Sequence, residues 1–178
     1  MKRQVFYSFH YGNDAWRTQI VRNIGAIEGN TPVSASAWEE VKRKGKSAIE
    51  KWIDDNMKFR SCVIVLVGSE TANRLWVQYE IEHAWKEGKG IVCIDIHHLK
   101  NQFRLTCSQG DNPLSKFYID KTINYIAKRD TAADSNEVRL SSVCKFFHPS
   151  AGNTYNDIVN NIESLVEEAI RIRNQYPK

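Results

Sequence analysis

The sequence predicts an α/β fold of flavodoxin-like type: a central parallel sheet with helices on both faces. Two stretches carry that reading. SCVIVLVGS (61–69) is apolar on both faces from Cys62 to Val67, and IVCIDI (91–96) repeats the pattern. A strand with no polar face belongs inside a parallel sheet covered by helices on each side. Around these runs the hydrophobic period switches from 2 to 3.6 in stretches of roughly 10–15 residues joined by short turns, a β-α-β-α-β-α-β order.

The elements follow in chain order. QVFYSF (4–9) reads as a mostly buried first strand. YGND comes next, where Asn13 or Asp14 can cap a helix over 14–27. Trp16, Ile20, Val21, Ile24 and Ile27 keep helical spacing there. GNTPVSASAW holds a turn and a short second strand near Val33–Ser36. KSAIEKWIDDNM is an amphipathic helix with Ala48, Ile49, Trp52 and Ile53 on its apolar face. A further helix, with RLWVQYEIEHAW (74–85), follows Cys62–Val67 and stops at KEGKG, where Gly88 and Gly90 can cap and turn.

Beyond residue 97 the regularity weakens. HHLKNQFRLTCSQGDNPLSKFYI reads as a long loop with turn signals at Gly110, Asn112 and Pro113, and KRDTAADSNEV as a polar loop or hairpin tip. YNDIVNNIESLVEEAIRIRNQ is a strong helix, with Ile158, Ile162, Leu165, Ala169 and Ile172 on one face. One domain is expected over 1–178: a regular core (1–97), a loop-rich extension (98–150) and a C-terminal helix (151–176).

Composition narrows the function classes. The 178 residues are 42% hydrophobic and 26% charged, as in an ordinary soluble domain. A net charge of +4 suits an anionic small molecule but is too weak to argue for nucleic acid. No stretch approaches the ~20 apolar residues of a membrane span. Cys62, Cys93, Cys107 and Cys144 form no C-x-x-C pair, and Cys62 and Cys93, in apolar runs, read as buried thiols, which fits a reducing cytoplasm.

One carboxylate sits in an odd place. At 100° per residue, Trp76, Ala84, Val77, Ile81 and Trp85 cover about half a helical turn, and Glu80 falls inside that arc. Glu82 lies on the opposite face beside Lys86. In open α/β sheets ligands bind beyond the carboxyl ends of the strands. That edge collects Phe9, His10, Tyr11, Ser36, Trp38, Gly68, Ser69 and His97. A partly desolvated carboxylate there can accept hydrogen bonds from ribose hydroxyls and stabilise an oxocarbenium-like transition state. Phe9, Trp38 and Trp76 can stack a flat ring. The plainer alternative pairs Glu80 with a cation or a backbone amide at the helix–sheet boundary.

Other candidates carry less. His97 and His98 are adjacent and, on a strand, point to opposite faces, so no metal site is expected. His10 could meet a phosphate or a ring, or satisfy a loop carbonyl. KRKGK (42–46) could contact phosphates, or be a solvated loop or the start of a helix. GKG (88–90) lacks the phosphate-loop spacing.

VFYSFHY (5–11), SAWEEVKRK (36–44), IVLVGSETANRLWVQYEIEHAWKEGKGIVCI (64–94) and GDNP (110–113) together resemble the TIR-like proteins of the bacterial Thoeris anti-phage system. The resemblance spans roughly the first 115 residues, in order, and GSETANRLWVQYEI is its most specific part. It implies a three-layer TIR fold and consumption of NAD as substrate, with no further cofactor. It places the glutamate that cleaves the nicotinamide–ribose bond at Glu80. It also implies an ADP-ribose-derived signal, often a cyclic isomer, read by a separate effector protein after an unknown phage trigger. The substrate-contacting set expected around Glu80 is Phe9, His10, Asp14, Trp38, Ser69, Trp76 and Asn112. The stretch after strand two, SAWEEVKRKGKS, departs from the longer loop of animal and plant TIR domains, so their assembly geometry does not transfer; a homo-oligomer stays open. A non-catalytic adaptor working by TIR–TIR or effector contact is the competing reading. A receiver-like module is disfavoured, because strand one ends Ser8-Phe9-His10 and strand three Val67-Gly68-Ser69, without the acidic residues a receiver needs.

Overall fold

A computed structural model describes residues 2–32 and 34–178. Its centre is a five-stranded parallel sheet of order β2-β1-β3-β4-β8. The strands are β1 (Gln4–Phe9), β2 (Glu28–Gly29), β3 (Cys62–Val67), β4 (Gly90–Asp95) and β8 (Phe146–Phe147). β3 pairs with β1 on one side and β4 on the other, in register from Val5↔Cys62 and Cys62↔Gly90. Every residue of β3 and β4 is buried, as their two-faced apolar runs require.

The period of two divides β3 between two cores. Val63, Val65 and Val67 face Ile49, Ile53 and Met57 of α3 (Lys46–Met57) and Val77, Ile81, Ala84 and Trp85 of α4 (Leu75–Lys86). Cys62, Ile64 and Leu66 face Val21 of α1 (Tyr11–Arg22) and Ile158, Ile162, Leu165 and Val166 of α5 (Thr154–Arg173). The three expected layers follow from this alternation. Arg173, buried near the end of α5, donates from Nε (3.0 Å) and Nη2 (2.7 Å) to the Trp85 carbonyl, tying α5 to the end of α4.

The first ninety residues depart from expectation in three ways. α1 begins at Tyr11, not near Asp14, because the His10 carbonyl accepts the amide of Asp14 at 2.9 Å; it ends at Arg22, ahead of Gly25 at φ +70. Trp16 is 54% exposed, and the helix buries Asp14, Arg17, Thr18 and Val21 instead. The second strand lies at Glu28–Gly29 and not at 33–36. Val33 falls outside the described residues, and Ser34 caps a further helix, α2 (Ala35–Arg43), by accepting from Ala37 N at 3.2 Å. KRKGK is therefore the end of α2, the turn at Lys44–Gly45 and the start of α3, which agrees with the helix start among its expected forms.

The region 98–150 is more ordered than a loop. β5 (Phe117–Asp120) is the centre of a small antiparallel sheet, flanked by β6 (Ile126–Lys128) and β7 (Glu137–Arg139). Phe117, Ile119 and Ile126 join the core beneath α4. KRDTAADSNEV crosses from one edge of this sheet to the other and is not a hairpin tip. β8 then pairs in parallel with β4, Cys93↔Phe146. Among the described residues, no helix is long and apolar enough to cross a membrane.

Candidate active site

Glu80 is 7% exposed and is the sixth residue of α4, on the face that packs against the sheet. Ser8, at the carboxyl end of β1 and fully buried, donates its hydroxyl to Glu80 Oε2. Burial drives the carboxyl upward to about 8, and the Ser8 hydrogen bond opposes that shift. Among the described residues no cation enters that balance, so the ion-pair alternative finds no partner there. Glu82 behaves as a solvent-face carboxylate should: it pairs with Lys86 at 2.5 Å.

Glu80 forms part of the wall of a cavity of about 300 Å³ between β1, α2 and α4. Phe9, Tyr11, Trp38 and Trp76 supply its aromatic surface; His10, Glu39, Lys42 and Arg74 supply its polar surface. The rings form a connected series. Phe9 stacks on Tyr11 at 5.8 Å, Tyr11 lies 6.3 Å from Trp38, and Trp38 meets Trp52 edge-on at 5.4 Å. A narrower space of about 50 Å³ adjoins it and shares Phe9, Tyr11, Trp38 and Glu80. The missed helix α2 is what brings Trp38 and Lys42 here.

The cavity's charges are paired. Arg74 reaches Glu70 at 3.2 Å, and Lys42 pairs with Glu39. His10 Nδ1 is buried without a hydrogen bond, 3.9 Å from Glu70 Oε2. Burial lowers the His10 pKa below its ordinary value and Arg74 adds to this, with Asp14 and Glu70 opposing. The imidazole is therefore neutral at neutral pH, able to accept or donate one hydrogen bond.

Of the residues expected around Glu80, the structure gathers Phe9, His10, Trp38 and Trp76 at the cavity. Three lie elsewhere. Asp14 is 1% exposed and bonds Arg17 Nη1 at 2.8 Å, under a Gly68 whose added Cβ would lie 2.3 Å from Asp14 Oδ2. Arg17 also donates to the carbonyls of Leu99 (2.7 Å) and Leu105 (3.0 Å), so this pair anchors the chain after β4. Ser69 lines a different groove, of about 380 Å³, with Trp16, Asn101 and Phe103. Asn112 accepts the Leu114 amide at 2.9 Å and caps the short turn Pro113–Lys116. Sequence reading missed Ser8 and Arg74, and offered Lys42 only as part of KRKGK; the available signal for Ser8 was a serine within an apolar, aromatic strand.

His97 and His98 do not diverge as they would on a strand. β4 ends at Asp95, and in the turn that follows their rings lie 3.8 Å apart. Asp95 is buried. One of its oxygens meets the His97 ring and accepts the His97 amide at 3.1 Å; the other lies 3.2 Å from His148 Nδ1. Among the described residues, no group of three or more His, Cys, Asp or Glu side chains is arranged to hold a metal ion.

Comparison with known proteins adds two findings. Residues 6–101 match the family described as Thoeris protein ThsB, TIR-like domain. Over 118 residues the chain is 35% identical to a protein of Bacillus cereus (strain MSX-D12) that carries the provisional name cyclic ADP-D-ribose synthase ThsB1. That match covers 64% of this chain and 62% of the relative, so the chain spans less than two thirds of its length. The cavity residues named above all fall inside residues 6–101.

Proposed function

Because this chain belongs to the family of Thoeris ThsB TIR-like domains, we propose that it consumes NAD: it cleaves the nicotinamide–ribose bond and makes an ADP-ribose-derived signal in anti-phage immunity. The name of the Bacillus cereus relative supports a cyclic ADP-ribose isomer as the product. The observation that carries the reading is Glu80, a buried carboxyl with no cationic partner among the described residues, at the wall of an aromatic cavity on the carboxyl edge of a parallel sheet.

In this reading the nicotinamide ring stacks among Phe9, Tyr11, Trp38 and Trp76. Its positive charge lowers the pKa of Glu80, so the carboxyl, otherwise held neutral at pH 7 by burial, releases its proton to solvent. The C–N bond electrons then pass to the ring nitrogen and neutral nicotinamide leaves. The carboxylate stabilises the positive charge developing on the ribose. A nucleophile within the ADP-ribose closes the ring, or water gives the linear product. No metal or further cofactor takes part, and the product acts through a separate effector protein in the cytoplasm.

The test is incubation with NAD and chromatography of the products. Nicotinamide and an ADP-ribose-derived product should appear. Glu80→Gln should lower nicotinamide release by at least ~100-fold, the scale of losing a main electrostatic stabiliser. Glu82→Gln should not. A Glu80→Gln protein that still cleaves NAD at the native rate would refute the assignment.

A further inference from the structure

Ser8 is buried where strand alternation asks for an apolar side chain. Phe6, two residues earlier on the same face of β1, packs in the core with Ile81 and Val77 of α4. A hydroxyl at such a position costs stability unless it is hydrogen-bonded. Here its partner is Glu80 Oε2, a group on another element, 72 residues away. Ser8 is not among the residues that line either space beside Glu80 and is 0% exposed, whereas Glu80 lines both. Oε2 is thus held on the inside of the fold, leaving Oε1 for the cavity.

We infer that Ser8 is the positioning residue of this reaction: its hydroxyl holds Oε2 inside the fold and so aims Oε1 at the ribose. The inference rests on the NAD-cleaving reading of the cavity. The last torsion of a glutamate is broad and roughly two-fold, so an unanchored carboxyl would sample many orientations. A donor from the rigid interior of β1 fixes it. The same donor favours the ionised carboxylate, against the burial that keeps it neutral. Because Ser8 does not touch the substrate, its loss acts on turnover and not on binding.

The test compares Ser8→Ala, Ser8→Cys and Ser8→Thr in the full chain. Ala removes the donor, Cys fills the space with a weak one, and Thr restores the hydroxyl. For Ala and Cys, kcat for nicotinamide release should fall at least ~10-fold with KM within about twofold. The acid limb of the kcat–pH profile should move to higher pH, and Thr should recover most of the loss. An unchanged profile and rate in Ser8→Ala would overturn the inference; so would a lost rate with an unmoved pH limb and a lowered melting temperature. Carbon-13 NMR titration of the Glu80 carboxyl separates this from failure of the functional reading. If the native chain releases no nicotinamide, that reading falls and takes the role in the reaction with it. If the native chain does release it and the Glu80 midpoint in Ser8→Ala stays where it is in the native chain, only the Ser8 inference falls.

Discussion

Glu80 makes the protein less stable as pH rises, and the sign can be worked through. Its ordinary pKa of 4.5 applies to the unfolded chain, and burial raises the folded value to about 8. Below the lower value both states keep the proton. Between the two, the unfolded chain releases it and the folded chain holds it, so stability falls; above the higher value the deficit is constant. At pH 7 the deficit is on the order of 3 kcal/mol. Glu80→Gln should therefore match the native chain at pH 4 and exceed its stability at pH 8, measured by denaturant unfolding. A variant that unfolds more easily at pH 8 would mean that Glu80 is a structural partner. Helical geometry made Glu80 legible in the sequence, because a carboxylate inside an apolar arc is a local contradiction. Ser8 was not legible as its partner, since the two meet only once β1 and α4 have packed together.

Among the elements, α1 and the end of α2 make opposite predictions. Arg17 on α1 is buried with Asp14 and holds two carbonyls of the chain after β4. Arg17→Met should cost roughly 3 kcal/mol, because it strands a buried carboxyl. Hydrogen exchange should quicken across Leu99–Leu105. The basic residues beyond Lys42 are a solvated surface by comparison. Lys44 pairs with Glu40 at 3.0 Å and Lys46 with Glu50 at 3.7 Å, both lysines well exposed. Replacing Arg43, Lys44 and Lys46 together by Ser should move stability by no more than ~0.5 kcal/mol and leave NAD turnover intact. The sequence made β1, β3, β4, α3, α4 and α5 legible because each is long enough to show its own period. It misled at β2, which has two residues and no period at all, and so hid α2. β5, β6 and β7 have only three or four residues each and end on Asp120, Lys128 and Arg139. Their pairing is set by tertiary contact, which local pattern does not report. At the site, Phe9 was readable from its place at the end of β1 and Trp76 from the helical arc it shares with Glu80, whereas Trp38 reaches the cavity from α2 and not from a strand end. Asp14 and Asn112 were not, since a buried ion pair and a turn cap leave the same residue types in the sequence as a ligand contact would.

At the scale of the molecule, the sheet controls the chemistry of its thiols. Cys62, Cys93 and Cys144 are buried, and burial raises each above its ordinary value, while Cys107 is partly exposed. A thiol reagent should modify Cys107 alone in the native protein and all four cysteines after denaturation, counted by mass spectrometry. Rapid labelling of a second native thiol would contradict the packing. The sheet also imposes an order in time. Every wall residue of the Glu80 cavity has been made once synthesis reaches β4, but β8 follows β4 by roughly fifty residues, a long-range pairing of the kind that slows folding. During that interval the nascent chain presents the bare backbone of β4 as an open edge, a template for a second copy. A chain cut at residue 140 should contain the complete constellation around Glu80 and yet scatter light, because it lacks both β8 and the α5 face that covers Cys62, Ile64 and Leu66. The two phenylalanines of β8 thus act as a seal on the backbone edge that β4 would otherwise present.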